Sequence, residues 1–329
     1  PRSGPGMKPL SRTAEWSTGP QVVALGGGHG LAASLRALRR VTDSVTAVVG
    51  VSDDGGSSGR IRRELGLMPP GDLRMALAAL CGDDTWGRTW SRVLQHRFKG
   101  EGELAGHAVG NLLISALWEE TGDVVAGLDW VAALLEAQGR VLPVAREPVD
   151  LIAEVRGING AEEITTLRGQ VDIATTTGEV LSLRIDPPNP QPCLSVVEAI
   201  GAARMVVLGP GSWFTSVLPH LYVRPVHDAI LATDATRVLV INVTAQEGET
   251  TGFTPARYLE NLVATFPDMR LDAVIVDPSS VRDEQALVAA CQELGATPVI
   301  EEVRAVEGGA PGAVHDTLLL ASVFQRILN

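Results

Sequence analysis

Asp53 and Asp54 stand side by side, and a dense polar run follows them: Gly55-Gly56-Ser57-Ser58-Gly59-Arg60. Adjacent carboxylates suit a hard cation such as Mg²⁺ or a ribose hydroxyl. Glycines let a backbone approach a ligand closely, and exposed N–H groups and hydroxyls suit phosphate oxygens. A plain turn needs far less than this. Ser52 precedes the pair, and a second glycine loop, Gly26-Gly27-Gly28-His29-Gly30, lies upstream. It is not a standard phosphate fingerprint. Leu31 stands where the last glycine of G-x-G-x-x-G would fall, and no Gly-Lys-Ser/Thr follows.

Other candidates are scattered along the chain. Asp72 and Arg74 follow Pro69-Pro70-Gly71. Asp72 reads either as a helix N-cap or as a site carboxylate. Arg74 and Arg60 have the planar fork that pairs with phosphate. Asn111 sits in an apolar stretch and must brace a loop or touch a ligand, because a core amide needs partners. Gly209-Pro210-Gly211-Ser212 is a third candidate for phosphate or sugar. Asn242, Gln246, Glu249 and Thr250 combine amides, a carboxylate and a hydroxyl, a mixture suited to sugar hydroxyls. Glu247 among them reads as solvated. His29 and His107 have no evident carboxylate partner in sequence and read as structural histidines, so no catalytic residue is assigned.

The segments before these loops are short apolar runs that read as buried parallel strands, at 22–25, 45–51, 205–208, 238–243 and 273–276. Helical periodicity marks 31–40, 73–80, 109–120 and 285–294, with Leu31, Leu35 and Leu38 on one face of the first. The alternation predicts an α/β fold: a Rossmann-like, largely parallel sheet with helices on both faces. In such a sheet, loops leaving the carboxyl ends of strands share one edge, where ligands bind. The loops after Leu25, Val51, Leu208 and Val243 should therefore converge. Between residues 141 and 186 the pattern alternates and glycines punctuate it, which predicts a small antiparallel β insertion. The expected organisation is a flexible arm over 1–20 and one domain over 21–329.

A net charge of −12 and a pI near 5.0 argue against nucleic acid as the main partner, while leaving room for one small anion. Cys81, Cys193 and Cys291 show neither metal spacing nor a disulfide framework, which suits a reducing cytosol. No apolar run is long enough to span a membrane, and residues 1–20 lack a secretory apolar segment. The expectation is a cytoplasmic protein.

Seven blocks in order carry a family resemblance. They are the two loops above with Leu31, Pro69 to Arg74, Gly106-His107-Ala108-Val109-Gly110-Asn111-Leu112-Leu113, Gly139-Arg140-Val141-Leu142-Pro143, Gly209 to Ser216, and Asn242 to Thr250. Over residues 20 to 325 the chain resembles the YvcK-like gluconeogenesis factor family. That family shares a superfamily with the 2-phospho-L-lactate transferase of deazaflavin cofactor synthesis. The resemblance implies a UDP-sugar ligand, with UDP-N-acetylglucosamine foremost, bound by the candidate residues named above. It also implies a regulatory role in cell-wall synthesis and cell shape, linked to growth on gluconeogenic carbon sources. A protein effector, a Ser/Thr kinase acting at Thr317 and a homodimer are further implied partners, and Mg²⁺ held by Asp53 and Asp54 is an implied cofactor. The alternative is a phospholactyl-type transferase with a nucleotide-activated donor, for which Trp213 and Phe214 offer ring stacking. Three departures stand out: His29 where threonine is usual, Ser52 where alanine is usual, and no basic residue before His315. Arg304 replaces that residue only if the fold brings it there.

Overall fold

The computed structural model describes residues 19–246, 248–307 and 310–329. Most of the expected arm, including Ser11, Thr13, Ser17 and Thr18, and also Glu247, lie outside them.

Seven strands form one parallel sheet: β1 (Val22–Gly26), β2 (Val45–Val49), β3 (Arg140–Pro143), β7 (Met205–Leu208), β8 (Thr236–Val240), β9 (Ala273–Val276) and β10 (Thr297–Ile300). Their order is β10-β9-β8-β7-β1-β2-β3, with every neighbouring pair parallel. The chain starts at the centre, builds outward through β2 and β3, then returns to the other side of β1 with β7. That reversal makes the β1/β7 boundary a topological switch point, where loops diverge and leave a crevice.

The central strands are buried on both faces, so they read as continuous apolar runs. Helix α1 (Gly28–Leu38) follows β1 and buries Leu31, Leu35 and Leu38. It packs against α3 (Gly71–Leu80) and the C-terminal helix Thr317–Leu328. Between β2 and β3 also lie α2 (Gly56–Leu65), α4 (Thr85–Gln95), α5 (Val109–Thr121) and α6 (Val124–Leu134). No helix among the described residues is long and apolar enough to cross a membrane.

The expected antiparallel insertion is present, with strands β4 (Asp150–Arg156), β5 (Ile164–Arg168) and β6 (Glu179–Asp186) in the order β5-β4-β6. It starts later than expected. Residues 140–143 form β3, an edge strand of the main sheet paired with β2, rather than part of the insertion. A short helix, α7 (Gln170–Ala174), crosses between β5 and β6. A two-stranded hairpin, β11 (Arg304–Glu307) and β12 (Ala310–His315), completes the strands. Two further boundaries moved. The run from Gly56 to Arg60 is the first turn of α2, not loop. Strand β8 ends at Val240, three residues before its apolar run does.

The three cysteines are all buried: Cys81 just after α3, Cys193 before the helix Leu194–Gly201, and Cys291 within the helix Glu284–Glu293. Phe324 on the C-terminal helix is fully buried and anchors it to the core. Phe324→Ala should cost about 3–5 kcal/mol, the usual loss for an aromatic core truncation. Urea unfolding would measure it, and an unchanged midpoint would mean this helix does not contribute to the core.

Candidate functional site

The site begins at the crevice between β1 and β7. Gly30, in the first turn of α1, presses against the Pro210 carbonyl and Gly211 so closely that any side chain there would collide with backbone. The two glycine loops are therefore interlocked. Ser34 donates its hydroxyl to the Gly209 carbonyl at 2.9 Å. On the far side, the Asn242 carboxamide accepts from Gly211 N–H at 3.0 Å and donates to the Gly211 carbonyl at 2.8 Å. Asn242 thus fixes the third loop. The loop-to-helix turn brings the first N–H groups of α1 to the crevice, where that of Gly28 meets Asp72. His29 lies exposed on that turn.

Asp72 and Asp53 converge on this edge. Asp72 is not the cap of α3; Pro70 occupies that position. Instead its carboxylate reaches across to the N–H of Gly28 and lies directly against Gly27. Burial and the neighbouring Asp53 carboxylate push Asp72 up to about 7, although Gly28 N–H and Arg74 pull the other way. Part of its surface stays open to solvent while protein surrounds the rest. Asp53 accepts from Gly55 N–H at 3.0 Å and packs with Ser58 over Gly71. Ser52, buried, leads into this loop from β2, and Gly56 opens α2 with φ +44°.

Asp54 goes elsewhere. Its carboxylate accepts the Val171 N–H at 3.1 Å, at the start of α7, and sits against Gly169. It fastens the loop to the insertion. The expected pairing of Asp53 with Asp54 on one cation is therefore split by the fold, and Asp72 is the carboxylate beside Asp53 instead.

Behind the crevice lies a buried chain of side chains. Arg74 Nε donates to Asn111 Oδ1 at 2.8 Å, Asn111 Nδ2 donates to Ser57 Oγ at 3.0 Å, and Ser57 Oγ meets His107 Nδ1 at 2.9 Å. Asn111 braces Arg74 rather than standing free, so its place on the apolar face of α5 is explained by satisfaction of both amide groups. Burial and nearby Arg97 lower Arg74 to about 10, while Asp72 and Asp53 counteract. It remains cationic and balances the paired carboxylates. His107 is lowered by burial and by Arg60. Arg60 itself donates to the carbonyls of Ala105 at 2.7 Å and Glu103 at 3.2 Å, clamping the loop before α5.

The last candidates form a separate polar knot beside the third loop. Thr250 is fully buried and accepts from Gln246 N–H at 3.1 Å and from the Tyr258 hydroxyl at 3.1 Å. That makes it a brace. Glu249 is buried and faces Ser212, Thr215 and the N–H groups of Trp213 and Phe214. These neighbours pull its pKa down only partly, because neither carboxylate oxygen closes a hydrogen bond of good geometry. Burial wins and pushes Glu249 up to about 8. Gln246 Oε1 is likewise buried without a partner. Trp213 and Phe214 are core residues, not stacking platforms: Trp213 Nε1 donates to Asn261 and its ring meets Tyr258 edge-on.

Two residues of this region escaped the sequence reading. Ser34 was legible in principle, as a lone hydroxyl on the apolar face of α1. Tyr258 was not, since an aromatic in a helix more often means core. Arg304 is carried by β11 to the carboxyl end of β8, where it donates to the Val243 carbonyl beside Asn242. Asp277 lies 3.6 Å from its Nε. His315, within hydrogen-bond distance of the Ile241 carbonyl at 3.1 Å, is lowered to about 4 by burial.

Glu249 offers a pH test. Its folded pKa, about 8, lies above the ordinary 4.5, so the neutral carboxyl favours the fold most at low pH. That contribution is lost as pH rises between those two values. Glu249→Gln cannot ionise, so its stability relative to the parent should climb across the same window and level off above it. Paired denaturant titrations over pH would show this. A constant difference would mean that Glu249 is charged in the folded chain. A second variant, Asp54→Ala, should speed hydrogen exchange in residues 169–175 with little change at α1. Unchanged exchange at 169–175 would show that Asp54 does not fasten the insertion.

Residues 22–309 match the family model described as 2-phospho-L-lactate transferase CofD. A putative gluconeogenesis factor of Mycobacterium leprae is 47% identical over 313 residues, covering 94% of this chain and 86% of the relative. The gluconeogenesis factor of Bacillus subtilis is 34% identical over 265 residues, covering 80% and 81% respectively. A crystal structure of a UPF0052 family protein from Bacillus halodurans superposes with a TM-score of 0.82 at 31% identity, covering 93% of this chain and 99% of that one. The chain belongs to the CofD family, among its YvcK-like gluconeogenesis factors.

Proposed function

We propose that the chain binds a nucleoside diphosphate sugar in the β1/β7 crevice, and that UDP-N-acetylglucosamine is the first such ligand to test. The observation that carries the reading is the interlock of Gly30 with Pro210 and Gly211. It aligns the N-terminus of α1 and the third glycine loop on one side of the crevice, as a diphosphate requires. Gln246, whose Oε1 is buried without a partner beside the third loop, is the candidate contact for the sugar, while Asn242 holds that loop in place. In this reading the protein is a cytoplasmic regulator that senses a cell-wall precursor, supports cell shape and is needed on gluconeogenic carbon. A protein effector reads the bound state, and phosphorylation at Thr317 adjusts it. Thr317 opens the C-terminal helix, whose cap is Asp316 rather than Thr317.

Asp53 and Asp72 would hold Mg²⁺ if the diphosphate brings it. Two adjacent carboxylates whose repulsion Arg74 offsets only in part fit a hard cation that takes its remaining ligands from phosphate and water. Bound there, the ion would neutralise diphosphate charge. A second reading is favoured by one feature. Asp72, near pH 7 in its pKa and set at the crevice, is suited to accept or donate a proton, as a transferase would need.

Calorimetric titration with UDP-N-acetylglucosamine, UDP and GDP, with and without Mg²⁺, tests both. The regulator reading expects saturable binding of the UDP-sugar, tighter than GDP by on the order of tenfold. Asp53→Asn should weaken that binding by a similar factor while leaving the unfolding midpoint in place. No heat and no thermal stabilisation at millimolar UDP-sugar would remove the proposal. Preference for GDP, with turnover of a phospholactyl donor, would establish the transferase.

A further inference from the structure

A second charged feature lies away from the crevice. Arg36, Arg39 and Arg40, from the last turn of α1 and the residues after it, line a cavity of about 480 Å³. Arg88 and Arg92 line its opposite wall. They are four residues apart on α4 and so share one helix face. The floor is small and uncharged: Ala78, Ala79 and Cys81 from α3 and its end. In a chain of net charge −12, this is a local excess of guanidinium.

Their neutralisation is incomplete. Asp83 pairs with Arg39 at 2.5 Å and lies 3.6 Å from Arg40. It is the sole carboxylate among the residues lining the cavity. Arg36 and Arg92 have no ion-pair partner among the described residues. The Arg39 side chain is only 8% exposed, held by Asp83 and by Gln138 at 3.0 Å, and its Nε is buried without a partner. The negative end of α1 accounts for basic residues on that helix. The negative end of α4 accounts for Arg92 in the same way, but neither helix end accounts for Arg88 or for the gathering of both sets round one cavity. Like charges gathered round a concave wall repel one another unless an anion joins them.

We propose that this cavity is a binding site for a small molecule carrying two or more phosphate groups. Guanidinium forks pair bidentately with phosphate oxygens. The volume falls in the usual small-ligand range, about 300–1,000 Å³. The site is distinct from the crevice: Arg36 lies eight residues along α1 from Gly28, about 12 Å at the rise of an α-helix. Arg39 forms the fixed base, while the exposed Arg36, Arg40, Arg88 and Arg92 close on the ligand.

Tripolyphosphate is the probe, titrated into the unmodified protein by calorimetry and thermal shift. The expected result is saturable binding that weakens at least tenfold in Arg36→Ala/Arg92→Ala. Arg36→Lys/Arg92→Lys, which keeps the charge and loses only the planar fork, should weaken binding less than the alanine pair does. Both residues are exposed, so the unliganded variants should unfold at the parent temperature, which shows that lost binding is not lost folding. Equal affinity in parent and alanine variant would overturn the proposal, since the anion would then sit elsewhere, at the glycine loops included. A deca-glutamate peptide that bound more tightly than tripolyphosphate, with the same arginine dependence, would also overturn it and assign the cavity to an acidic protein segment.

Discussion

The close approach of α1 to the third glycine loop governs the rest of this molecule. Gly30 meets the Pro210 carbonyl where no side chain fits. The contact brings the first turn of a helix from one half of the sheet against a loop from the other half. Ser34 and Asn242 lock the two sides of that contact, one through Gly209 and the other through Gly211. With the loops fixed this way, Gly28 N–H is aimed at Asp72, and Asp72 is held beside Asp53. The crevice is a result of strand order. Reversal at β1 separates the loops, and the glycine contact sets how far.

Charge in the crevice is arranged to be unsettled without a ligand. Two carboxylates face each other, and a deeply held arginine behind them offsets part of the repulsion. Arg74 cannot move to neutralise them more fully, because Asn111, Ser57 and His107 hold it in a chain that begins on α3 and ends before α5. Such a network fixes geometry at the expense of adaptability. Asp54, which in sequence looks like the partner of Asp53, serves the insertion instead. One loop residue therefore faces ligand, and its neighbour sets where the antiparallel sheet stands.

Much of this was legible in sequence because parallel strands buried on both faces leave a plain signature. The runs at 205–208 and 273–276 match β7 and β9 residue for residue. The convergence of the glycine loops followed from topology alone. What stayed hidden depends on direction rather than type. Sequence cannot say that Asp54 turns toward α7 while Asp53 turns toward Ser58 and Gly71. It could not show that Asp72 reaches across to Gly28, since a carboxylate after Pro-Pro-Gly fits a helix cap equally well. Strand β3 was missed as part of the main sheet because a four-residue edge strand carries little pattern. The hairpin that delivers Arg304 was invisible for a similar reason: its alternation is brief and broken by glycines.

The three cysteines turn the packing of this chain into a chemical clock. Burial pushes Cys81 and Cys291 up to about 11 and raises Cys193 as well. At neutral pH a thiol at that value is ionised to roughly one part in ten thousand, and all three lie beneath the surface. A thiol reagent therefore reaches Cys193 and Cys291 only when the surrounding structure opens, whereas Cys81, on the floor of the arginine-lined cavity, is met from that cavity. Cys193 reports on the return from the insertion, Cys291 on the helix that carries it, and Cys81 on whether the cavity is filled. Alkylation at each position, read separately by mass, resolves all three within one unlabelled molecule.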